Sequence, residues 1–353
     1  MAEDFKLDSH KLIYHPCEVA KWIRGEEIYP IEIEISPSGS CNHRCTFCAV
    51  DYLRYEPFFL DSQMMIDNIE YMKKHGLKSV VCSGEGEPLL NKNMPEMAVK
   101  MKQIGVDVAM ASNGVLLKKE ITQECLQAFT WIRFSVAAIF EETYKKIHRG
   151  KDGDLQKTLD NIAYAVEWKK KKQLTTTLGV QCLLIKENKG EILDMAKELK
   201  KIGVDYFTIK PYSQHTQSNN HMEVDYRELL QLENSIKQYE SDEFRIYYRS
   251  NAMKKIRQEK SYDNCYGLPF MTHIDAKGNV WPCINFIGKP EFLYGNLYEQ
   301  SFEEIWHSEK KKKVLSVFEK TNINHICREA CRLDEINRYL YQLKYPEDHD
   351  NFI

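Results

Sequence analysis

Between residues 31 and 215 the sequence alternates strand-like runs with helix-like runs, and no other feature limits the fold as strongly. The strand-like runs are rich in β-branched and aromatic residues, and the runs between them carry apolar residues at helical spacing. Alternation of this kind builds parallel sheets with right-handed crossovers, which predicts an α/β fold. The predicted strands are 31–36, 79–83, 106–112, 131–137, 176–185 and 206–211.

The number of repeats decides between an open and a closed barrel. Six strand–helix units are too few for the closed eight-unit barrel. Residues 31–35 alternate isoleucine with glutamate, which is typical of a strand at the edge of a sheet. We therefore predict a partial (β/α)6 TIM-like barrel over residues 31–235, preceded by an extension at 1–30. Runs punctuated by glycine and proline from Cys265 onward predict a small second domain within residues 236–353.

Composition narrows the classes of function and location. The chain has 43% hydrophobic and 29% charged residues. Its net charge of −3, without a Lys/Arg cluster interleaved with aromatic residues, argues against a nucleic-acid partner. No stretch has the pattern of a membrane span or a signal peptide, so we expect a cytoplasmic location and no membrane partner. In that reducing compartment, 11 cysteines indicate metal or cluster ligation rather than disulfides.

Three cysteines follow the first predicted strand within eight residues. Cys41, Cys45 and Cys48 lie in a loop rich in serine and glycine, which can turn all three thiols toward one centre. Three thiolates leave one iron of a [4Fe–4S] cluster without a protein ligand, so that a substrate or cofactor can bind there. A structural zinc ion requires four ligands, and His43 lies too close in sequence to serve readily as the fourth.

The spacing C-x3-C-x2-C, with Phe47 directly before the last cysteine, resembles the radical S-adenosylmethionine (SAM) superfamily. In that family the open iron binds the amino and carboxylate groups of SAM, and the reduced cluster cleaves SAM to methionine and a 5′-deoxyadenosyl radical. The resemblance covers roughly residues 31–215. It implies a [4Fe–4S] cluster, SAM bound beside Phe47, and a flavodoxin or ferredoxin as the reductant.

Two further motifs carry the same resemblance. The run Ser-Gly-Glu-Gly-Glu-Pro at 83–88 resembles the family's Gly-Gly-Glu-Pro motif, which binds the methionine amino group, and implies that role for Gly86 and Glu87. Glu85 stands where the family usually has glycine. Ser112 and Asn113, followed by glycine, resemble the family's Thr-Asn-Gly at the end of the third strand.

The resemblance also implies ligands for the methionine carboxylate of SAM. Ser135 on the fourth strand and Arg149, fourteen residues later, take the corresponding positions, and an arginine fork suits a carboxylate. Ala137 and Ala138 stand where many members have Asp-Gly. All these motifs follow the carboxyl ends of strands one to four, where barrel active sites are built.

A second group of cysteines lies in the predicted C-terminal domain. Cys265, Cys283, Cys327 and Cys331 supply four thiols, which suits a closed zinc site or a fully ligated [4Fe–4S] cluster. The C-x9–15-G-x4-C pattern resembles the SPASM and twitch domains that carry auxiliary clusters on radical SAM enzymes. Because the later cysteines of a full SPASM domain are missing, the resemblance implies one auxiliary [4Fe–4S] cluster.

Four other cysteines remain without a partner group. Cys125 lies in a helix-like run, where a buried cysteine usually packs as a small apolar residue, and Cys17 precedes the barrel. Cys82 and Cys182 lie on predicted strands. The sequence leaves open whether these two cysteines pack in the core or donate a hydrogen atom inside the barrel.

The reaction hypothesis depends on the auxiliary cluster. A cluster beside the substrate accepts one electron, which a dehydrogenation requires and a rearrangement does not. The architecture resembles that of an aminocyclitol alcohol dehydrogenase, so the leading hypothesis is an oxidoreductase that oxidises a secondary alcohol on a sugar, sugar nucleotide or aminocyclitol. Lys210, Tyr212 and His215, which follow or end the sixth strand, are the candidates for the base.

Three alternatives stay open. The same domains support thioether formation or epimerisation of a peptide, although the thirty residues before the first strand are short for a leader-binding domain, which favours a small-molecule substrate. Sulfatase maturation requires cysteines for two auxiliary clusters, more than this chain has. The third alternative is a non-catalytic module with two zinc sites, which would be colourless and would not respond to SAM.

Overall fold

The structure is a computed structural model that describes residues 10–352. Residues 1–9 of the predicted extension lie outside the described residues. One sheet contains the ten strands of the described part. They are β1 Glu32–Ile35, β2 Ser79–Cys82, β3 Asp107–Ser112, β4 Phe129–Ser135, β5 Thr177–Leu184, β6 Tyr206–Pro211, β7 Arg245–Tyr248, β8 Met271–Ile274, β9 Asn279–Trp281 and β10 Gly295–Asn296.

The α-helices of the described residues surround this sheet and form the small C-terminal region. Those of the barrel region are α1 Pro16–Ile23, α2 Ser62–Lys74, α3 Met94–Ile104, α4 Lys119–Cys125, α5 Glu141–His148, α6 Asp154–Lys172, α7 Ile192–Ile202, α8 Leu232–Lys237 and α9 Ser250–Lys254. The C-terminal ones are α10 Phe302–Trp306, α11 Glu309–Lys320, α12 Ile323–Ile326 and α13 Asp334–Lys344. None of the described helices is both long enough and apolar enough to cross a membrane.

The strand order confirms the predicted α/β partial barrel. Strands β1 to β7 are parallel neighbours in chain order, so each crossover carries its helices over the same face. All six predicted strands are present. The seventh parallel strand, β7, lies beyond the predicted division at residue 235, and the domain boundaries stay a prediction.

The prediction that β1 lies at an edge is wrong. Strand β8 pairs with β1 in parallel, with Glu34 opposite His273, and β9 and β10 then continue the sheet antiparallel. The C-terminal region therefore extends the barrel sheet beyond β1. Glu34 is buried at 6% exposure, because Arg332 pairs with it inside the barrel. The sequence of a strand alternates in the same way whether its glutamates are buried and paired or face solvent.

Local signals begin and end the barrel helices as the sequence predicts. The Asp61 side chain accepts a hydrogen bond from Met64 N at 2.8 Å and caps α2. Gly105 and Gly203 end α3 and α7 with φ of +89° and +88°, a conformation that glycine adopts without strain. The outward face of β1, Ile33 and Ile35, is fully buried in the core against the helices.

Candidate active site

The loop after β1 brings three thiols to one place. Burial raises the pKa of Cys45 well above its ordinary value, and the charges of Cys41 and Cys48 raise it further, so the three thiols lie within electrostatic range of one another. The loop is held by α5: Thr46 N donates to Ile147 O at 2.8 Å. A hydrogen-bonded loop of this kind presents its thiols at fixed positions.

His148, the last residue of α5, fixes the environment of Cys45. Its Nε2 accepts a hydrogen bond from Ala137 N at 3.0 Å, and its Nδ1 lies 3.4 Å from Cys45 Sγ. Burial lowers the pKa of His148 to about 3, so the ring is neutral at physiological pH. Because Nε2 accepts, the ring proton lies on Nδ1 and points at the Cys45 sulfur. The rings of Tyr144 and Phe47 pack on His148, with centroids 4.2 Å and 5.2 Å away.

His43 lies close to these groups without completing a metal site. Donor atoms of His43, Cys45 and His148 all lie within 4.8 Å of one another. Both nitrogens of His148 are already engaged, however, and His43 Nε2 faces the buried carboxylate of Asp154 at 3.5 Å. Gly150 allows this contact, since a Cβ there would lie 2.7 Å from His43 Nε2. His43 therefore packs the cysteine loop against the start of α6, and neither of its ring nitrogens has a hydrogen-bond partner among the described residues.

Glu87 ties three of the predicted motifs together. Its backbone N–H donates to Ser40 O at 2.9 Å, directly before Cys41. Its carboxylate accepts from Ser112 Oγ at 2.7 Å and from Asn113 N at 2.8 Å, and it is buried at 2% exposure. A Cβ at Gly86 would lie 2.0 Å from Ser40 O, so only glycine permits the turn to approach the loop this closely.

Glu85, where the family usually has glycine, has a structural role in this chain. Its carboxylate accepts a hydrogen bond from Ala276 N at 2.7 Å, in the turn between β8 and β9. Burial, followed by the charge of Asp275, raises the pKa of Glu85 to about 6. Glu85, the residue that departs from the motif, thus connects the turn at residues 83–88 to the C-terminal region.

The remaining predicted SAM residues lie at the same end of the barrel. Arg149 follows α5 in a left-handed conformation with φ of +50°, and its charge lowers the pKa of Cys45 against the effect of burial. Ser135 is the last residue of β4, in register with Gln181 of β5. Asn113 also reaches the cysteine loop, because its Nδ2 donates to Asn42 Oδ1 at 2.6 Å. The contacts of these residues with SAM stay predictions.

The second group of four cysteines also forms one centre. Burial raises the pKa of Cys283 well above its ordinary value, and the charges of Cys331 and Cys265 add to this effect. The Cys327 thiol donates to Cys331, which lowers the pKa of Cys331 to about 6. Thiols from the segment after β9, the segment before β8 and the segment after α12 therefore converge, although 66 residues separate the first from the last.

Nitrogen donors surround the sulfurs of this second centre. Asn285 Nδ2 lies 3.4 Å from Cys327 Sγ, and Leu333 N lies 3.4 Å from Cys331 Sγ. Asn337 Nδ2 lies 3.6 Å from Cys265 Sγ. Hydrogen bonds of this kind stabilise thiolates and tune the potential of iron–sulfur clusters.

The spread of the sulfurs suits clusters better than single ions. Sulfurs bound to one zinc ion at ~2.3 Å lie about 3.8 Å apart. Within residues 10–352, the one group of three His, Cys, Asp or Glu ligand atoms that all lie within 4.8 Å of one another contains a single cysteine. Neither cysteine set is that tight. Three thiols suit a cluster with an open iron, and four suit a closed cluster.

The barrel interior contains the first of the three predicted base candidates. Lys210 is the second-last residue of β6, and burial lowers its pKa well below the ordinary value, with Arg133, Arg328 and Arg249 lowering it further. Lys210 therefore shares the interior with several cations. Tyr212, two residues further along the chain, donates its hydroxyl to Gln214 Oε1 at 2.8 Å.

Tyr212 and His215 lie in the loop after β6, where both take part in local structure. His215 Nδ1 accepts from Gln217 N at 3.1 Å, and its ring stacks on Tyr52 with centroids 5.2 Å apart. Burial lowers the pKa of His215 to about 4. Both side chains hold the loop in place, so their predicted role as a base has less geometric support than that of Lys210.

Sequence reasoning missed the arginines that follow the second-centre cysteines. Arg332 pairs with Glu34 at 2.8 Å and also with Glu32, so the segment that carries Cys331 reaches into the barrel at β1. The charge of Arg328, next to Cys327, lowers the pKa of Lys210. The sequence signal for Arg328 and Arg332 is their position beside predicted cluster ligands. No sequence signal of this kind marks Arg133 or His148.

The strand cysteines Cys82 and Cys182 pack in the core. Both are fully buried. Cys82 lies in register with the outward-facing Ile35, and the charge of Cys125 on α4 adds to the effect of burial in raising its pKa. Cys182 Sγ lies 3.4 Å from Asn188 Nδ2, before α7. Donation of a hydrogen atom to a bound substrate therefore has no support at these two residues.

Comparison with known proteins agrees with this geometry. Residues 35–199 match the model of the radical SAM superfamily, and residues 265–332 match the SPASM model, described as an iron-sulfur cluster-binding domain. A probable GTP 3′,8-cyclase of Saccharolobus solfataricus is 32% identical over 120 residues, which are 33% of this chain and 39% of the cyclase. This chain thus spans about two fifths of the length of that relative.

Two longer matches cover most of the chain. An AdoMet-dependent heme synthase of Methanosarcina barkeri is 25% identical over 293 residues, which are 77% of this chain and 80% of the synthase. The crystal structure of Streptococcus suis SuiB bound to the precursor peptide SuiA has a TM-score of 0.66 and 16% identity, and covers 95% of this chain and 78% of SuiB. The match to SuiB shows a common fold.

The family models fall on the two cysteine centres described above. The first model includes the three-thiol loop and strands β2 to β5, and the second runs from Cys265 past Cys331. These matches imply a [4Fe–4S] cluster, an auxiliary iron–sulfur cluster and SAM as cofactors. The chain thus combines a radical SAM domain over residues 35–199 with a C-terminal SPASM domain over residues 265–332, a pair of domains typical of SAM-dependent iron–sulfur enzymes.

Proposed function

We propose that this enzyme oxidises a secondary alcohol of a sugar, sugar nucleotide or aminocyclitol to a ketone. The observation that carries the proposal is the position of the second centre. Its four thiols suit a cluster in which every iron has a protein ligand. The segment that carries them reaches the barrel, because Arg332 pairs with Glu34 of β1 and the charge of Arg328 lowers the pKa of Lys210. A closed cluster beside the substrate suits an electron acceptor better than a substrate-binding metal.

The two groups of residues have distinct tasks in this proposal. Cys41, Cys45 and Cys48 hold the first cluster, and Cys265, Cys283, Cys327 and Cys331 hold the auxiliary [4Fe–4S] cluster. When bound, the first supplies the reductive cleavage of SAM to methionine and a 5′-deoxyadenosyl radical, and the second supplies a one-electron acceptor. SAM lies against the remaining predicted residues, which are Phe47, Gly86, Glu87, Ser112, Asn113, Ser135 and Arg149.

The atoms and electrons of the proposed oxidation balance. The secondary alcohol loses a hydrogen atom from its carbinol carbon to the deoxyadenosyl carbon, and it loses the hydroxyl proton to a base. It also loses one electron to the acceptor, and the product is a ketone. Cleavage of SAM consumes one electron from the reductant, and the hydrogen atom taken from the alcohol completes the two-electron reduction of SAM to methionine and 5′-deoxyadenosine. The electron passed to the acceptor balances the one that the reductant supplied. A flavodoxin or ferredoxin supplies the first electron, as in a cytoplasmic setting that keeps such clusters reduced.

Lys210 is our candidate for the base. Its amine is buried in the barrel, and its lowered pKa favours the neutral form that accepts a proton. Tyr212 and His215 take part in hydrogen bonds of their own loop and are proposed to position it. A lysine at the end of β6 also lies at the carboxyl end of the sheet, together with the SAM motifs.

Modification of a peptide is the second candidate. The fold that this chain shares with SuiB, whose structure contains a precursor peptide, supports it. The cyclase and the heme synthase, by their names, act on or make small molecules, which supports the first candidate. The two candidates differ in whether a ketone or a modified peptide accompanies 5′-deoxyadenosine.

The test uses anaerobically reconstituted wild type, Cys283→Ala and Cys17→Ser with SAM, dithionite and a panel of sugars, sugar nucleotides, aminocyclitols and short peptides. Wild type and the exposed-cysteine control Cys17→Ser are expected to form ketone and 5′-deoxyadenosine in equal amounts. Cys283→Ala is expected to form the nucleoside with little ketone. A modified peptide without any ketone would replace this proposal by the second candidate.

A further inference from the structure

The hairpin formed by β8 and β9, residues 271–281, lies in the chain between two thiols of the second centre. Cys265 precedes β8 and Cys283 follows β9, so both ends of the hairpin lead to that centre. Strand β8 also pairs with β1, and β1 leads into the three-thiol loop. The β8–β9 hairpin therefore contacts the barrel and is continuous with the second centre.

Two hydrogen-bonded contacts connect this hairpin to the turn at residues 83–88, which carries predicted SAM residues. Ala276 N, in the turn of the hairpin, donates to the Glu85 carboxylate at 2.7 Å. His273 Nε2 lies 3.0 Å from Ser36 Oγ, which in turn accepts a hydrogen bond from Glu85 N at 3.3 Å. The hairpin thus reaches both the side chain and the backbone of Glu85.

The contact at Ser36 is close and closed to water. Gly84 has φ of +99°, and a Cβ there would lie 2.0 Å from Ser36 Oγ, so only glycine lets the turn approach this closely. Ser36 and His273 are both fully buried. Because a buried polar group that loses its partner is costly, this contact resists separation of the turn from the hairpin.

The other side of the same turn faces the three-thiol loop. Glu87 N donates to Ser40 O at 2.9 Å, and the Glu87 side chain is the predicted contact of the SAM amino group. A cavity of about 120 Å³ borders Glu85, Ala276 and Leu53, so the turn has room to shift if its hydrogen bond to the hairpin is lost. The position of Glu87 relative to the loop therefore depends on the hairpin.

We propose that the β8–β9 hairpin links the second centre to the binding of SAM at the first, with Glu85 as the positioning residue. When the second centre is loaded, Cys265 and Cys283 hold both ends of the hairpin, and the hairpin holds Glu87 where the SAM amino group binds. Because such a link is reciprocal, SAM is also expected to stabilise the second centre. The inference does not depend on the proposed oxidation, since it concerns SAM before any substrate reacts.

The dissociation constant of SAM, measured by anaerobic calorimetry on the reconstituted holoenzyme, tests the role of Glu85. Glu85→Ala removes the acceptor for Ala276 N and is expected to weaken SAM binding about tenfold, the effect of one lost hydrogen bond. Glu85→Gln keeps an acceptor at the same place and is expected to restore binding to within about twofold of wild type. The control is Lys277→Gln on the same hairpin, because Lys277 pairs with Glu56, outside the turn. It is expected to bind SAM as wild type does.

Removal of a second-centre ligand tests the link itself. Cys283→Ala is expected to weaken SAM binding about tenfold, while the first cluster keeps its iron and still forms 5′-deoxyadenosine at saturating SAM. Together with Glu85→Ala it is expected to weaken binding by less than the product of the two separate effects, because both changes act through the hairpin. Iron and sulfide counts show which centre is loaded in each variant.

Four results would overturn the inference. Wild-type affinity in Glu85→Ala, or an equal loss in Glu85→Gln and Glu85→Ala, would show that the hydrogen bond to Ala276 does not set the affinity for SAM. Wild-type affinity in Cys283→Ala, or separate effects that multiply in the double variant, would show that the link does not run through the hairpin. The Glu85 variants decide the matter even if Cys283→Ala does not fold. The expected affinities without oxidation of any alcohol would remove the proposed function and support the link.

Discussion

The two cysteine centres are built in opposite ways. The first takes three thiols from eight consecutive residues of one loop, and the structure around it only fixes that loop. The second takes four thiols from separate segments that meet because β8 joins the barrel sheet beside β1. A local centre with three thiols stays open to a ligand, whereas a closed centre assembled by the fold suits the transfer of electrons.

The largest expected effect comes from removing the local centre. The combined change Cys41→Ala, Cys45→Ala and Cys48→Ala is expected to abolish 5′-deoxyadenosine and to lower iron from about eight to about four per chain, because the second centre assembles independently. Iron and sulfide counts and a nucleoside assay after anaerobic reconstitution measure both. Iron loss from both centres, with the fold intact, would show that they are not independent.

The next prediction concerns Glu87, which joins the cysteine loop to β3. Glu87→Gln places an amide N–H₂ among donors from Ser112 and Asn113, so we expect a loss of about 1–3 kcal/mol in folding stability and slower formation of 5′-deoxyadenosine. Thermal unfolding of the holoenzyme and the nucleoside assay measure these effects. Glu70→Gln, at an exposed position on α2, is the control. Equal behaviour of the two variants would contradict the linking role.

A smaller effect is expected from the hydrogen bond that His148 donates to Cys45. His148→Phe keeps an aromatic ring against Tyr144 and removes the N–H. Loss of about 1 kcal/mol from the reduced state lowers the midpoint potential of the first cluster by ~40 mV. Potentiometric titration followed by electron paramagnetic resonance (EPR) measures the shift. Tyr144→Phe is the matched control, and a shift of equal size in that variant would assign the effect to packing.

The corresponding change at the second centre completes the comparison. Asn285→Leu removes the Nδ2 donor that lies 3.4 Å from Cys327 Sγ, at a position that is itself buried. Because this contact is long for a hydrogen bond to sulfur, we expect a fall of no more than ~40 mV, confined to the second cluster. The same titration measures it. A shift in the first cluster would indicate that the two centres are coupled.

The contrast between the centres also explains how much the sequence predicts. The three-thiol loop, the SAM motifs and the strand order are local or periodic, and the structure brings them together at one end of the sheet. The burial of Glu34 was not predictable, because its partner Arg332 lies almost 300 residues away in sequence. The prediction that β1 is an edge strand is wrong because its partner strand β8 also lies far away in the sequence. His148 gives no signal, since its role depends on a hydrogen bond from Ala137, in the segment after β4, that the sequence pattern does not indicate.

The central claim is that the three-thiol centre binds SAM and the four-thiol centre does not. The most direct test records EPR spectra of the dithionite-reduced wild type and of the Cys41, Cys45 and Cys48 triple alanine variant, each with and without SAM. We predict that SAM changes the wild-type spectrum and leaves that of the variant unchanged. A SAM-dependent change in the variant, an unchanged wild-type spectrum, or zinc in place of iron would contradict the account.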